Sequence, residues 1–98
     1  MTYSSATHAL SVNPATGETL AAYPWASTDD VERAIAQADT GFRQWRRVSV
    51  SDRAQKLRDL ASALRNRADE MARMISREMG KPILQARAEV AKSASLCD

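Results

Sequence analysis

The sequence is poor in the side chains that most chemistry needs. Its 98 residues include one cysteine, one histidine, two tryptophans, two tyrosines and one phenylalanine. A single cysteine, Cys97, excludes an internal disulfide and any multi-cysteine zinc site, and it suits a reducing compartment. His8 has no second His or Cys with which to build a metal site or a catalytic triad. No stretch approaches the roughly 20 apolar residues of a membrane span. Met1 to Thr7 combine neither a basic cluster nor an apolar run, so a secretory leader is unsupported and the cytoplasm is the expected compartment. The scarcity of aromatics also limits the core. Hydrophobic residues make up 44% of the chain, but much of that is alanine, which favours helices and fills little space. A chain this short hides only about two-thirds of its unfolded surface at best. An alanine-rich one is therefore expected to need a neighbour, and to be molten or to aggregate when expressed alone.

Charge is nearly balanced, with 14 basic and 12 acidic residues for a net +2, but it is unevenly spread. Arg43, Arg46, Arg47, Arg53, Lys56 and Arg58 fall in one stretch against a single acid, Asp52. Such clustering can mark a nucleic-acid surface. A solvated helix junction explains it more simply, because Trp45, the aromatic within the cluster, is needed on an apolar face.

Residues 8–12 and 18–25 contain β-forming side chains and flank Asn13-Pro14-Ala15-Thr16-Gly17, where Asn and Pro open a turn and Gly supplies a positive φ. A β-hairpin with a longer loop follows. Two strands alone are barely stable in water, so this hairpin should lie on another element. From Ser27 or Thr28, either of which can cap a helix, Asp29 and Asp30 occupy the first turn, where acids favour the helix dipole. Val31, Ala34, Ile35, Ala38, Phe42 and Trp45 then recur as one stripe. Gly41 lies on that side, open to close approach by another backbone. A second helix is expected from Ser51 or Asp52 to about Arg67, with Ala54, Leu57, Leu60, Ala61, Leu64 and Ala68 inward. A third, starting near an Asp69 cap, should bury Met71, Ala72, Ile75 and Met79 and end at Gly80; one kinked helix is the alternative to these two. Gly80 suits a left-handed helix end and Pro82 the first turn of the next helix. That helix carries Ile83, Ala86, Val90, Ala94 and Cys97 on one face. It runs into Leu96, Cys97 and Asp98 with no stop signal, so the chain is expected to be truncated within a helix, the front piece of something larger.

Complete active-site constellations are missing. Cys97 lies on the apolar side of a helix and reads as a small buried core residue rather than a nucleophile, which needs a base or positive field beside it. Glu70, Glu78 and Glu89 read as solvated helix faces, since acid and base work needs two groups converging on one cleft. Gly80-Lys81 lacks the Gly-rich run and the following Ser or Thr of a phosphate-binding loop.

Four segments in unbroken order carry a resemblance: Asn13-Pro14-Ala15-Thr16-Gly17-Glu18; the helix from Asp29-Asp30-Val31 to Phe42-Arg43-Gln44-Trp45; Arg53-Ala54-Gln55-Lys56-Leu57-Arg58; and Arg77-Glu78-Met79-Gly80-Lys81-Pro82. Together they resemble the opening of an NAD(P)-dependent aldehyde dehydrogenase. Ser76 to Pro82 followed by Ala88-Glu89-Val90-Ala91-Lys92 is most similar to the bacterial succinate-semialdehyde dehydrogenases.

The resemblance implies an α/β parent fold with a Rossmann-like cofactor domain, to which residues 8–98 contribute an N-terminal β-hairpin and three to four α-helices, with residues 1–7 a disordered start. It implies that the parent is a homo-oligomer using NAD or NADP to oxidise succinate semialdehyde to succinate, and that the rest of that polypeptide is this segment's partner. In the family a cysteine thiolate attacks the aldehyde, a glutamate activates water and a Gly-rich turn holds the cofactor. None of these motifs falls on this chain, so no catalytic or cofactor-binding residue is assigned and the segment alone is expected to be inactive. The resemblance also implies a monovalent cation held by the main-chain carbonyls of Ser11 and Val12 and by Glu78, and it places Lys92 near the substrate entrance, where its charge would draw in a carboxylate-bearing aldehyde. The alternative reading is a free-standing helical module that binds nucleic acid or protein through residues 43–58; nucleic acid is the less expected partner.

Overall fold

The structure, a computed structural model, describes residues 3–98. A β-hairpin of β1 (His8–Val12) and β2 (Thr19–Pro24) is followed by α1 (Thr28–Trp45), α2 (Val50–Asn66), α3 (Ala68–Met79) and α4 (Ile83–Leu96). Hairpin and helices thus take the expected order. The strands pair antiparallel from His8 opposite Pro24 to Val12 opposite Thr19, with a bulge where Ser11 meets Ala21 and Val12 meets Thr19. The loop closes as its residue types require. The Asn13 amide donates to the Glu18 carbonyl at 2.8 Å, the Gly17 amide to the Asn13 carbonyl at 2.7 Å, and the Asn13 side chain accepts from the Ala15 amide at 2.9 Å. Gly17 takes a φ of 76°.

Residues 4–7 form a turn, and residues 1–2, the beginning of the expected disordered start, lie outside the described residues. The His8 amide donates to the Ser4 carbonyl at 2.9 Å. The Trp25 indole then reaches back to the Ser5 carbonyl at 3.0 Å, tying the turn to the end of β2.

Helix boundaries follow the caps. The Ser27 hydroxyl accepts from the Asp30 amide at 3.1 Å while the Asp30 carboxylate accepts from the Ser27 amide at 3.0 Å, a complete capping box. That amide and the Ser27 hydroxyl hold the Asp30 carboxyl below its ordinary range. The second helix starts earlier than expected, because Ser49 rather than Ser51 or Asp52 caps it, accepting from the Asp52 amide at 3.1 Å. The kinked-helix alternative is resolved into two helices. Arg67, at φ −111° and ψ 17°, leaves the helical region and separates α2 from α3. No Asp69 cap forms; the Arg67 guanidinium instead bonds the Glu70 carboxylate at 2.8 and 3.1 Å. Pro82 stands at the N-cap of α4, with φ −55° and ψ 138°, one place before the first turn.

The hairpin rests through β1 on α3, α3 and α2 pack on α4, and the packed region is small. Its buried residues are Ala61, Ala72, Ala86, Val90 and Ala94, with Ala68, Met71, Ile75 and Ile83 partly buried around the cluster of Ala72, Ala86 and Val90. Small side chains let the helices approach closely but hide little apolar area. Arg65 on α2 and Asp98 just past α4 form a two-pronged ion pair, 3.0 Å in one arm, so the C-terminal ends of α2 and α4 meet. Met79, expected inside, is 75% exposed. Cys97 is half-buried at the end of α4 rather than a core residue.

The expected stripe of α1 exists in sequence but is uncovered: Ile35 is 65%, Phe42 61% and Trp45 43% exposed, and no residue of α1 is buried. The molecule is a slab of 47 × 40 × 15 Å, barely more than one helix thick. Its radius of gyration is 17.7 Å, against about 12.5 Å for a compact domain of this length.

Candidate functional site

The two motifs at opposite ends of the sequence pattern meet in space. β1 delivers Ser11 and the turn that begins at Asn13-Pro14; the last turn of α3 delivers Glu78 and Gly80. The Ser11 hydroxyl donates to Glu78 Oε1 at 2.7 Å across 67 positions of chain. One step further along, Pro14 sits over Gly80, where a Cβ would stand 3.0 Å from Pro14 Cγ. Gly80 has a φ of 69° and its amide donates to the Ser76 carbonyl at 3.0 Å, which ends α3 in the left-handed conformation. Glycine is required there twice, for its backbone angle and for the approach of the proline ring.

Ser11, Val12 and Glu78 line one open groove with Ala9, Leu10, Tyr23 and Met79. The cation candidates are thus neighbours, joined by a side-chain hydroxyl bond that sequence spacing alone does not reveal. The donors are all oxygen and carry one carboxylate, a set that suits a hard monovalent cation or simply a clamp between hairpin and helix. A second groove, about 370 Å³, runs between β2 and α3 and is lined by Leu20, Ala21, Tyr23, Met74, Arg77 and Glu78 among others.

The other carboxylates lie on exposed helix faces, as expected, and two of them have cationic partners there. Glu70 is held by Arg67, whose hydrogen bond and charge lower its pKa. Glu89 pairs with Lys81 across the turn between α3 and α4. No cluster of three or more His, Cys, Asp or Glu converges among the described residues. His8 bonds the Thr7 hydroxyl at 2.8 Å and lies 4.8 Å from the Tyr3 ring, a local arrangement with no acid or nucleophile. Lys92 is exposed on α4, without an ion pair among the described residues. The basic stretch is divided between the end of α1 and the start of α2. Arg43 is paired with Asp39 at 3.1 Å, and Arg58 donates to Gln55 at 3.2 and 3.3 Å. Among the described residues, no helix is long and apolar enough to cross a membrane.

Among the described residues no strand-to-helix turn carries glycine. β2 passes into α1 through Trp25-Ala26-Ser27, without glycine, and the two glycines of positive φ serve the hairpin loop and the end of α3. A phosphate-binding strand-to-helix turn needs glycine where the backbone approaches the ligand. The residues present therefore do not fit the cofactor by themselves.

Comparison with known proteins places this scaffold. The chain is 63% identical, over all 98 residues, to the NAD(P)+-dependent succinate semialdehyde dehydrogenase Sad of Escherichia coli, of which it covers 21%. It is 39% identical over 85 residues to the NADP+-dependent succinate-semialdehyde dehydrogenase of Deinococcus radiodurans, covering 87% of this chain and 18% of that one. In three dimensions it superposes on an NADP-dependent enzyme of E. coli with a TM-score of 0.86 at 30% identity, over 92% of this chain and 19% of that one. The chain thus spans about a fifth of the length of the curated relatives it matches. Residues 2–98 match the sequence profile of the aldehyde dehydrogenase family, and with hairpin, Asn-Pro turn and Gly80 docked as one unit, the chain belongs to that family.

Proposed function

We propose that this chain is the N-terminal structural portion of an aldehyde dehydrogenase that oxidises succinate semialdehyde to succinate, with NAD or NADP taking up the hydride and water supplying the added oxygen. The chain by itself has no turnover. The observation that carries this reading is the 63% identity to the E. coli semialdehyde dehydrogenase along the whole chain. The work of these residues is scaffolding: the hairpin and four helices form an outer layer whose apolar faces lean on the rest of the polypeptide. Nicotinamide chemistry falls to that remainder. A cytoplasmic setting is supported by the unpaired thiol of Cys97, and assembly of the parent as a homo-oligomer goes with the same reading.

The experiment is a chimera. This chain is joined to the remainder of the E. coli relative in place of its matching fifth, and semialdehyde-dependent reduction of NAD and NADP is followed by absorbance. The chimera is expected to turn over and the 98-residue chain alone to be silent. A folded chimera without activity, or activity from the chain alone, overturns the reading.

Ser11, Val12 and Glu78 are proposed, within the same reading, to hold a monovalent cation. Support comes from the meeting of Ser11 and Glu78 in one groove. Titrating the chimera with NaCl or KCl at constant ionic strength should raise its melting temperature, and Glu78→Gln should abolish the rise. Equal melting curves in tetramethylammonium chloride would remove the ion and leave the clamp.

A further inference from the structure

Most arginines of this chain have an acid beside them. Arg33, Arg43, Arg65, Arg67, Arg73 and Arg87 are each ion-paired. Among the described residues Arg46, Arg47, Arg58 and Arg77 are not, and all four are exposed, where water serves them. Arg53 differs from both groups. It has no ion pair among the described residues, it is half-buried, and its Nε is shielded from water with no acceptor. Its surroundings in the chain offer no relief. The residues three and four positions away, Ser49, Val50, Lys56 and Leu57, include no acid.

The place of that guanidinium on α2 decides what it needs. Arg53, Leu57, Leu60 and Leu64 recur at i, i+4, i+7 and i+11, one row along the helix. The neighbouring row supplies Ala61, the buried residue of α2, which packs on α4. The leucine row has less cover: Leu57 is 50% and Leu60 46% exposed. An element that covers those leucines takes the guanidinium at their head out of water with them. A cation removed from water needs an anion beside it, and a neutral carbonyl leaves its charge uncompensated. A carboxylate compensates it. Because the guanidinium charge is delocalised over a planar fork, a carboxylate on one edge neutralises the whole group.

We propose that Arg53 is the cationic half of an ion pair whose carboxylate belongs to the polypeptide that the relatives carry outside this stretch, about four-fifths of their length. This rests on the dehydrogenase reading above and adds to it the chemistry of one contact: the segment over Leu57 and Leu60 carries Asp or Glu beside its apolar residues. Arg53 is a positioning residue that holds that segment on α2.

Such a pair has a signature that apolar packing lacks, a pH profile. In the chimera, Arg53→Met keeps an apolar stem and removes the charge, which leaves the carboxylate buried and alone. At about pH 8 the melting temperature should fall by about 5 °C or more. An unpaired buried carboxylate has a raised pKa, so its penalty is complete above that value and is relieved as pH falls through it. At about pH 5 the deficit should shrink to less than half. Arg53→Lys keeps the charge without the fork and should recover at least half of the loss. Arg58→Met removes an exposed cation from the same helix and should match the unsubstituted chimera within about 1 °C.

A deficit that is equal at the two pH values assigns the acceptor to a carbonyl and overturns the proposal. So does an Arg53→Met chimera that melts with the Arg58→Met control at both, or an Arg53→Lys chimera that loses as much as Arg53→Met. If Arg53→Met does not fold at the higher pH, folding restored by acid or by lysine supports the pair, and folding restored by neither overturns it. An unsubstituted chimera that folds but is inactive refutes the dehydrogenase reading alone, because the melting comparison does not depend on turnover.

Discussion

Replacing Gly80 perturbs the junction between hairpin and α3 in two separable ways. At φ 69° and ψ 18° the residue is left-handed, a conformation that costs an ordinary L-residue roughly 1–2 kcal/mol. A new Cβ would also stand 3.0 Å from Pro14 Cγ and 3.8 Å from Pro14 Cβ. The proline ring cannot rotate away, so the hairpin loop has to move by a few tenths of an ångström, an overpacking cost of about 1 kcal/mol at the low end of the usual range. Gly80→Ala should therefore weaken the junction by about 2–3 kcal/mol. Gly80→Asn tolerates the backbone angle and keeps the clash, so it should recover roughly 1 kcal/mol. Pro14→Ala combined with Gly80→Ala should remove the clash and keep the backbone cost.

Native-state hydrogen exchange in the chimera separates the two. The Gly17 and Asn13 amides, which close the hairpin loop, should exchange roughly tenfold faster for each 1.4 kcal/mol lost locally. In Gly80→Ala they accelerate, and in the double variant they recover part of their protection. If Gly80→Ala leaves those amides unchanged, or if Pro14→Ala does nothing on either background, the turn does not bear on α3 and the junction has been misread.

Other perturbations test the remaining elements. Ser27→Ala removes the capping box of α1 and should cost about 1 kcal/mol of helix stability, seen as faster exchange of the Asp30 and Val31 amides; unchanged protection would show that the cap is idle. The cap also has an acid limit. Because the Asp30 carboxyl is held below its ordinary range by the Ser27 amide and hydroxyl, its contribution is complete above the unfolded-state pKa and is lost as pH falls through the lower folded value. A carbon-detected NMR titration should place the Asp30 midpoint below that of a free aspartate, and Ser27→Ala should bring it back. The 98-residue chain alone should unfold in urea with a shallow slope and poorly dispersed amide resonances, since its buried residues are four alanines and one valine. A steep two-state transition would contradict this. In the chimera, Lys92→Ala should lower kcat/KM for succinate semialdehyde at low salt and converge with the unsubstituted enzyme at high salt; parallel salt curves would dispose of steering.

Which of these features can be read without coordinates depends on the range of the forces involved. The hairpin loop, the αL end at Gly80 and the stripe of α1 are local: they follow from backbone angles that Asn, Gly and Pro allow and from the spacing of apolar residues, all within a few positions of one another. Boundaries slipped where two caps competed. Ser49-x-x-Asp52 has the spacing of a cap close beside Ser51 and Asp52, and it is the backbone of Arg67, not an Asp69 cap, that separates α2 from α3. The helical phase of Cys97 and Met79 points inward; phase says which way a side chain faces, and not whether anything lies there.

Tertiary structure decided what touches what. That Ser11 reaches Glu78, that Pro14 caps Gly80 and that Lys81 answers Glu89 leave no periodic trace, since each joins residues whose distance in space is set by how helices stack. The same holds for the bare side of α1. Alternation of apolar and polar residues determined that the helix has a greasy face, because that depends only on the 100° step between neighbours. That the face stands open depends on the other three helices closing on their own small residues, which leaves no surface on this chain for α1 to pack against.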